Sequence, residues 1–296
     1  MKLGKLGVWS STDAMVASDA AQFARRVEQW GYGALWMPES SGRNALVHAA
    51  WLLANTTRLV VATGIANIYG RDAQSAYSAH AALNEQSQGR FLLGLGVSHV
   101  PLVEGLRGHH YGKPVASMRA YLEAMQRAKY DAPPPQEKPK TVLAALGPKM
   151  LELARDLTDG AHPYLVSVAH TAEARAILGP DKWLCPEQKV LLESDAAKAR
   201  AVARQTVVRY LQLVNYRNNL VRLGFGEADF ADGGSNRLVD ALVAWGDVRD
   251  IRARVQEHWD AGADHVCIQP LHPEGASSRL PDEKLLALLA PGSSGS

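Results

Sequence analysis

Cysteine is nearly absent: Cys185 and Cys267 are the only two in 296 residues, isolated from each other and without metal-type spacing. Neither a disulfide framework nor a thiolate metal centre is expected. Long apolar runs are missing as well, and none approaches the roughly 20 residues that a membrane-spanning helix needs. The opening residues MKLGKLGVWS have no extended apolar stretch of the kind a secretory leader carries. An excess of one charge is also lacking, since 32 basic and 30 acidic residues leave a net charge of +2 with no basic face and no acidic tail. That balance argues against a nucleic-acid backbone as partner. The expectation is therefore a cytoplasmic, reduced protein with no membrane and no nucleic acid among its partners.

Several catalytic signatures are missing too. His109 and His110 are adjacent and no HxxxH or HExxH pattern occurs, so no metal is expected. No G-x-S-x-G elbow is present, and Ser98 and His99 are neighbours in sequence, which argues against a hydrolytic triad. The stretch Gly94-Leu-Gly-Val-Ser-His99 superficially matches a dinucleotide fingerprint. It lacks the third glycine, and Pro101 follows where a helix should begin.

What is present is a chain with 47% apolar residues, enough for a large core. The only strong internal break is the proline-rich APPPQEKP at 132–139, whose length suits a loop between a helix and a strand. One domain over 1–291 is expected, with GSSGS at 292–296 as a flexible tail. Short apolar strands alternate with amphipathic helices. Strands are predicted at 3–10, 34–37, 59–63, 90–95, 141–146, 161–166, 190–192 and 265–269. The intervening helices include 45–54, 73–84, 118–130, 197–214 and 248–261, and 283–289 closes the chain. Eight such units point to an α/β fold, a (β/α)8 TIM barrel with an extra helical insertion at about 215–236 before the last βα unit. Trp30, Trp51 and Trp259 read as core, and Trp9 and Trp36 as closer to the rim.

In such a barrel, functional groups collect at the C-terminal ends of the strands. Those ends bring Trp9 to Ser11, Pro38 to Ser40, Gly64 to Asn67, Gly96 to His99, Ala145 to Lys149 and Tyr164 to Ser167 onto one rim. Val60 to Ala62 run into Gly64, and Leu92 to Leu95 are broken by Gly94 and Gly96, so both backbones can approach a flat ligand closely. Gly147-Pro148-Lys149-Met150 opens a helix after a strand, where free N–H groups and the helix dipole can hold a phosphate; an ordinary strand-to-helix turn has the same composition. His99 is either a proton donor and acceptor or a solvated loop histidine. Glu39 either orients a cofactor or His99, or caps the next helix and pairs with an arginine. Tyr216, Asn219 and Arg222 in the extra segment either meet a substrate or form a polar helix face.

The motifs LWMPES (35–40), ATGIANIYGRD (62–72), GRFLLGLGVSH (89–99), HYGKP (110–114), ALGPKMLELA (145–154), NNLVRLGFGE (218–227), RLVDALVAWGD (237–247) and AGADHVCIQ (261–269) together resemble the luciferase-like superfamily of flavin and deazaflavin enzymes. The resemblance spans nearly the whole chain and is strongest to its actinobacterial branch of coenzyme F420-dependent oxidoreductases. It implies a barrel that holds the deazaflavin of coenzyme F420 at its strand ends and transfers hydride to or from an organic substrate. The implied cofactor-binding residues are Gly64, Ile65, Ala66, Asn67, Gly96, Val97, Ser98, Ala145, Leu146, Gly147, Pro148, Lys149 and Met150, with a non-prolyl cis peptide at Gly64–Ile65. From their places on the rim and in the extra segment, His99 and Glu39 are read as the catalytic residues, and Trp9, Ser40, Tyr216 and Asn219 as substrate contacts. Alcohol-oxidising relatives carry Asp-His after the second strand and Glu at the fourth strand end, where this chain has Glu39-Ser40 and His99. The reading that follows is reduction of a C=C, C=N or C=O bond, with His99 supplying the proton. Two alternatives stand beside it: a reduced-FMN monooxygenase using oxygen, and a non-catalytic flavin or deazaflavin carrier. Relatives are commonly homodimers, so a homodimer is expected.

Overall fold

A computed structural model describes residues 1–292, so all but Gly292 of the tail expected at 292–296 lies outside the described residues. Strands β1 (Leu6–Trp9), β2 (Ala34–Met37), β3 (Val60–Thr63), β4 (Ala66–Asn67) and β5 (Phe91–Gly96) fill the first third of the chain. They alternate with helices α1 (Ala17–Gln29), α2 (Ala45–Ala54) and α3 (Ala73–Gln86). After α4 (Pro114–Gln126) come β6 (Lys140–Leu143), α5 (Pro148–Leu157), β7 (Gly160–Ala161) and α6 (Val168–Leu178). β8 (Trp183–Leu184), β9 (Glu187–Leu192) and α7 (Ala196–Leu211) follow. Then come α8 (Val214–Arg222), α9 (Glu227–Phe230), α10 (Asn236–Leu242), β10 (Val243–Gly246), α11 (Val248–Asp260), β11 (Val266–Pro270) and α12 (Glu283–Leu289).

Every strand pair is parallel, and the neighbour order is β10-β9-β11-β1-β2-β3-β5-β6-β7-β8, with β4 beside β5. β8 passes into β9 through Cys185 and Pro186, whose backbone bonds reach both flanking strands: Cys185 N donates to Ala161 O and Cys267 N to Pro186 O. The sheet thus curls from β7 through residues 183–192 to β11 and back to β1. Helices cover its outside, so β2, β3 and β5 are buried along their whole length and read as continuous apolar runs, as parallel strands do. Most helix starts are fixed by a side chain. Asn44 Oδ1 accepts from Leu46 N and Val47 N, Asp72 caps α3, Ser167 caps α6, and Asp247 forms a capping box with Asp250 on α11. α5 has no such cap, since Gly147 precedes it and Pro148 is its first residue.

The structure departs from the sequence expectations in identifiable places. The strand expected at 161–166 is only two residues in the sheet, because Pro163 has no N–H to give and Leu165 takes φ +54°. The long loop expected after β5 contains a π-helix at Pro101–Leu106, and the following helix starts at Pro114 instead of 118. The helix expected at 197–214 ends at Leu211, and α8 starts at Val214. The extra segment expected at 215–236 is α8, α9 and a 3-10 turn at Ala231–Gly233, and it leads through α10 into β10, a strand the pattern did not suggest. Trp51 is not core: 43% of it is exposed, and its indole N–H donates to Ala17 O. Trp36 is not at the rim; it is fully buried and stacked on the His162 ring at 4.3 Å.

Candidate functional site

The ends of β1, β2, β3, β5 and β6 converge on one cavity of about 860 Å³, with α8 supplying the opposite wall. Trp9, Glu39, Ser40, Gly64, Ile65, Gly96, Val97, Ser98, His99, Tyr216, Asn219 and the run from Ala145 to Met150 all line it. Of the residues expected at the site, Ala66 and Asn67 do not. They lie behind the wall as β4, where Ala66 is opposite Leu95, Asn67 N donates to Glu39 Oε2 at 2.9 Å, and Asn67 Oδ1 accepts from Tyr69 N at 2.9 Å. Both are buried, and their polar groups are used in building the β3–β5 edge.

The peptide Gly64–Ile65 is cis. Its surroundings explain the glycine: a Cβ on Gly64 would lie 2.7 Å from Trp9 Nε1 and 2.8 Å from His162 Nε2. Trp9 Nε1 donates to Gly64 O at 3.1 Å, fixing the indole against the floor. A Cβ on Gly96 would lie 2.5 Å from the Ile65 side chain, so that side chain and β5 are in close contact. The floor is therefore flat and largely apolar.

Glu39 lines the cavity, but its carboxylate is fully engaged. Oε1 accepts from Ala45 N at 3.2 Å, Oε2 accepts from Asn67 N, and Arg71 forms an ion pair with it. The side chain is only 4% exposed. With these donors on both oxygens the carboxylate braces the ends of β2 and β4. His99 is half-buried, its ring 5.8 Å from that of Tyr216, and the Asn215 side chain hydrogen-bonds it. Burial pulls its pKa below the ordinary 6.5, with the Asn215 bond acting in the opposite direction. It is thus a neutral imidazole at pH 7.

At the other end of the cavity α5 presents its uncapped first turn, and a Cβ on Gly147 would meet nothing within 4 Å. Asn219 of α8 faces the same cavity with only 4% of its surface exposed. Its Oδ1 accepts from Arg222 at 2.6 Å, which fixes the amide orientation, and its Nδ2 has no partner. Arg222 also reaches Leu146 O at 3.3 Å and pairs with Glu173, tying α8 to the β6–α5 turn. An unpaired buried donor beside free helix N–H groups suits an anionic group.

Sequence reasoning missed part of the site. Tyr164 and Tyr210 line the cavity and share a hydrogen bond of 2.9 Å between their hydroxyls, and Tyr164 donates to Gln269 Oε1 at 2.8 Å. Behind them Lys189 and Glu187 form a fully buried ion pair at 3.0 Å, with the ammonium 3.9 Å from the Tyr164 ring centre. Tyr164 lies at a strand end that the sequence already put on the rim, whereas its network with Tyr210, Lys189 and Glu187 was not visible there. Arg209 and Tyr210 sit on α7, where nothing in the helical pattern marks them. His162, also lining the cavity, is neutral because burial lowers its pKa to about 4; its Nδ1–H donates to Cys185 O at 2.7 Å, leaving Nε2 as an unpartnered acceptor beside Gly64. Among the described residues no group of three or more His, Cys, Asp or Glu is placed to hold a metal ion, and no helix is long and apolar enough to cross a membrane.

Comparison with known proteins places this geometry among relatives. Residues 1–265 match the family model described as luciferase-like monooxygenase. The 5,10-methylenetetrahydromethanopterin reductase of Methanolobus tindarius is 27% identical over a match covering 83% of this chain and 88% of that protein. A Mycobacterium tuberculosis protein provisionally named a coenzyme F420-dependent oxidoreductase is 29% identical, covering 88% of this chain and 92% of its own. The solved coenzyme F420-dependent tetrahydromethanopterin reductase of Methanopyrus kandleri has a TM-score of 0.74 at 15% identity, covering 97% of both chains, which shows a common fold.

Proposed function

The chain belongs to the luciferase-like monooxygenase family, and from that premise we propose that it is an oxidoreductase moving hydride between coenzyme F420 and an organic substrate, in the direction that reduces a C=C, C=N or C=O bond. Counting residues 183–192 as one bent strand, the sheet reads as a (β/α)8 barrel to which β4 and β10 are additions, with α8 and α9 as the insertion. The observation that carries the proposal is the pairing, in one cavity, of a flat apolar floor at Gly64–Ile65 and Gly96 with an anion-suited end at Gly147 and Asn219. That combination fits a planar ring carrying a phosphorylated tail. F420-dependent activity in the names of two relatives favours the deazaflavin over FMN.

A deazaflavin bound here supplies hydride, and carbon in place of its central nitrogen makes it react slowly with oxygen. Ile65 and Trp9 would hold a planar ring, and Leu146, Val97 and Met150, which also line the cavity, would exclude water from it. The Lys149 backbone N–H at the start of α5, the Lys149 side chain and Asn219 Nδ2 would hold the tail anion. His99 holds or delivers the proton that accompanies hydride, while Glu39, whose carboxylate is engaged by Ala45, Asn67 and Arg71, positions Asn67 and Arg71. The test is anaerobic turnover: reduced F420 is mixed with the protein and a panel of enones, imines and ketones, and the return of deazaflavin absorbance is followed. Oxygen-independent reoxidation is expected. Turnover that requires oxygen and reduced FMN would overturn the reading in favour of a monooxygenase.

A further inference from the structure

Next to the main cavity lies a second one of about 420 Å³. The two share Trp9, Pro38, Ser40, Arg209 and Tyr210 in their walls, so they adjoin. The charge of the second cavity is one-sided: Arg209, Arg279 and His272 line it, and no Asp or Glu does. His272 lies 3.7 Å from the exposed Glu274. The two arginines differ from Arg222 across the main cavity, which Glu173 neutralises; neither Arg209 nor Arg279 has a carboxylate at ion-pair distance among the described residues.

Arg209 is also oriented. It donates to the Tyr210 hydroxyl at 3.0 Å and lies 4.8 Å from that ring's centre. The Tyr210 hydroxyl bonds Tyr164, Tyr164 donates to Gln269 Oε1, and Lys189 donates to the same oxygen at 3.1 Å. Donors that converge on one amide oxygen give a proton nowhere to go, so this network holds Arg209 in place and does not conduct. A guanidinium has five N–H donors, and those of Arg209 that are used go to the Tyr210 and Tyr164 hydroxyls. The rest suit bidentate recognition of a carboxylate.

We infer that the second cavity takes the carboxylate of an acidic organic substrate, held by Arg209 and Arg279, with the reducible part extending past the shared wall residues Trp9 and Ser40 towards the main cavity. The inference names the substrate class of the oxidoreductase site and rests on that reading. An acidic group on the cofactor itself offers the same chemistry, and the test separates the two. The purified full-length chain without cofactor is titrated with cinnamate and with methyl cinnamate by calorimetry, and Arg209→Gln and Arg279→Gln are compared with the wild type. Cinnamate is expected to bind about tenfold tighter than the ester, to lose about that factor in either variant, and to weaken with salt. Affinity for F420 is expected to stay the same in Arg279→Gln, whose side chain lines the second cavity alone. Equal binding of acid and ester, or no binding of the acid at millimolar concentration, overturns the inference. So does a loss confined to F420 affinity, which would assign the two cations to the cofactor. Acid discrimination in a protein that binds neither F420 nor FMN would retain the carboxylate site and remove the oxidoreductase reading.

Discussion

His99 shows how position and environment separate at the scale of one residue. The sequence placed it at a strand end, but its protonation state came from burial, which the sequence does not display. Because the buried imidazole has its pKa below 6.5, it is charged only in acid. If it delivers the proton during reduction, kcat/KM rises as pH falls through that lowered value. His99→Ala should flatten this limb and cost about 10²–10⁴-fold in rate; an unchanged pH profile in the variant would remove the assigned role. Glu39 teaches the converse. Its rim position was legible, yet its partners Ala45, Asn67 and Arg71 make it a brace, the bland alternative already visible in sequence. Gly94 was read as allowing a close ligand approach, and its neighbour is instead the backbone: a Cβ there would lie 1.9 Å from Thr63 O. Gly94→Ala should destabilise by about 3 kcal/mol, read as a clear drop in Tm. An unchanged Tm would mean that β3 and β5 can separate at no cost.

At the scale of elements, the helices and strands with clear periodicity were legible: β2, α2 and α12 fall where the pattern put them. Those that failed did so for a physical reason. β7 and β8 are two residues each, too short for any period, and are defined by long-range pairing. β10 follows α10 without a loop, so its VAWG reads as the end of a helix. α8 was legible as an excursion but not as a wall, since only the fold sets Tyr216 and Asn219 against α5. The α5–α8 pairing makes a prediction of its own. Asn219→Ala removes an unpaired buried donor together with one acceptor of Arg222, which Glu173 and Leu146 O still hold, so Tm should change little while cofactor affinity falls about tenfold. A lower Tm with unchanged cofactor affinity would assign Asn219 to packing.

For the molecule as a whole, alternation of strand and helix was enough to indicate a curled parallel sheet with its site at the strand ends. It did not reveal the polar layer inside. Burial lowers the pKa of His48, His80, His162 and His265 to about 4 and of His258 to about 3. All five would titrate near 6.5 in the unfolded chain, so below that pH the unfolded state binds more protons and stability falls as pH drops towards 4. Each histidine can contribute a slope of about 1.4 kcal/mol per pH unit. Tm should therefore fall steeply between pH 6.5 and 4, and a flat Tm across that range would contradict the buried neutral imidazoles. The central claim, that the strand-end cavity is a deazaflavin site, is tested most directly by titrating the purified chain with oxidised and reduced F420 and with FMN, following fluorescence. Selective F420 binding at micromolar affinity or better is the predicted result. Selective FMN binding, or binding of neither, would contradict it.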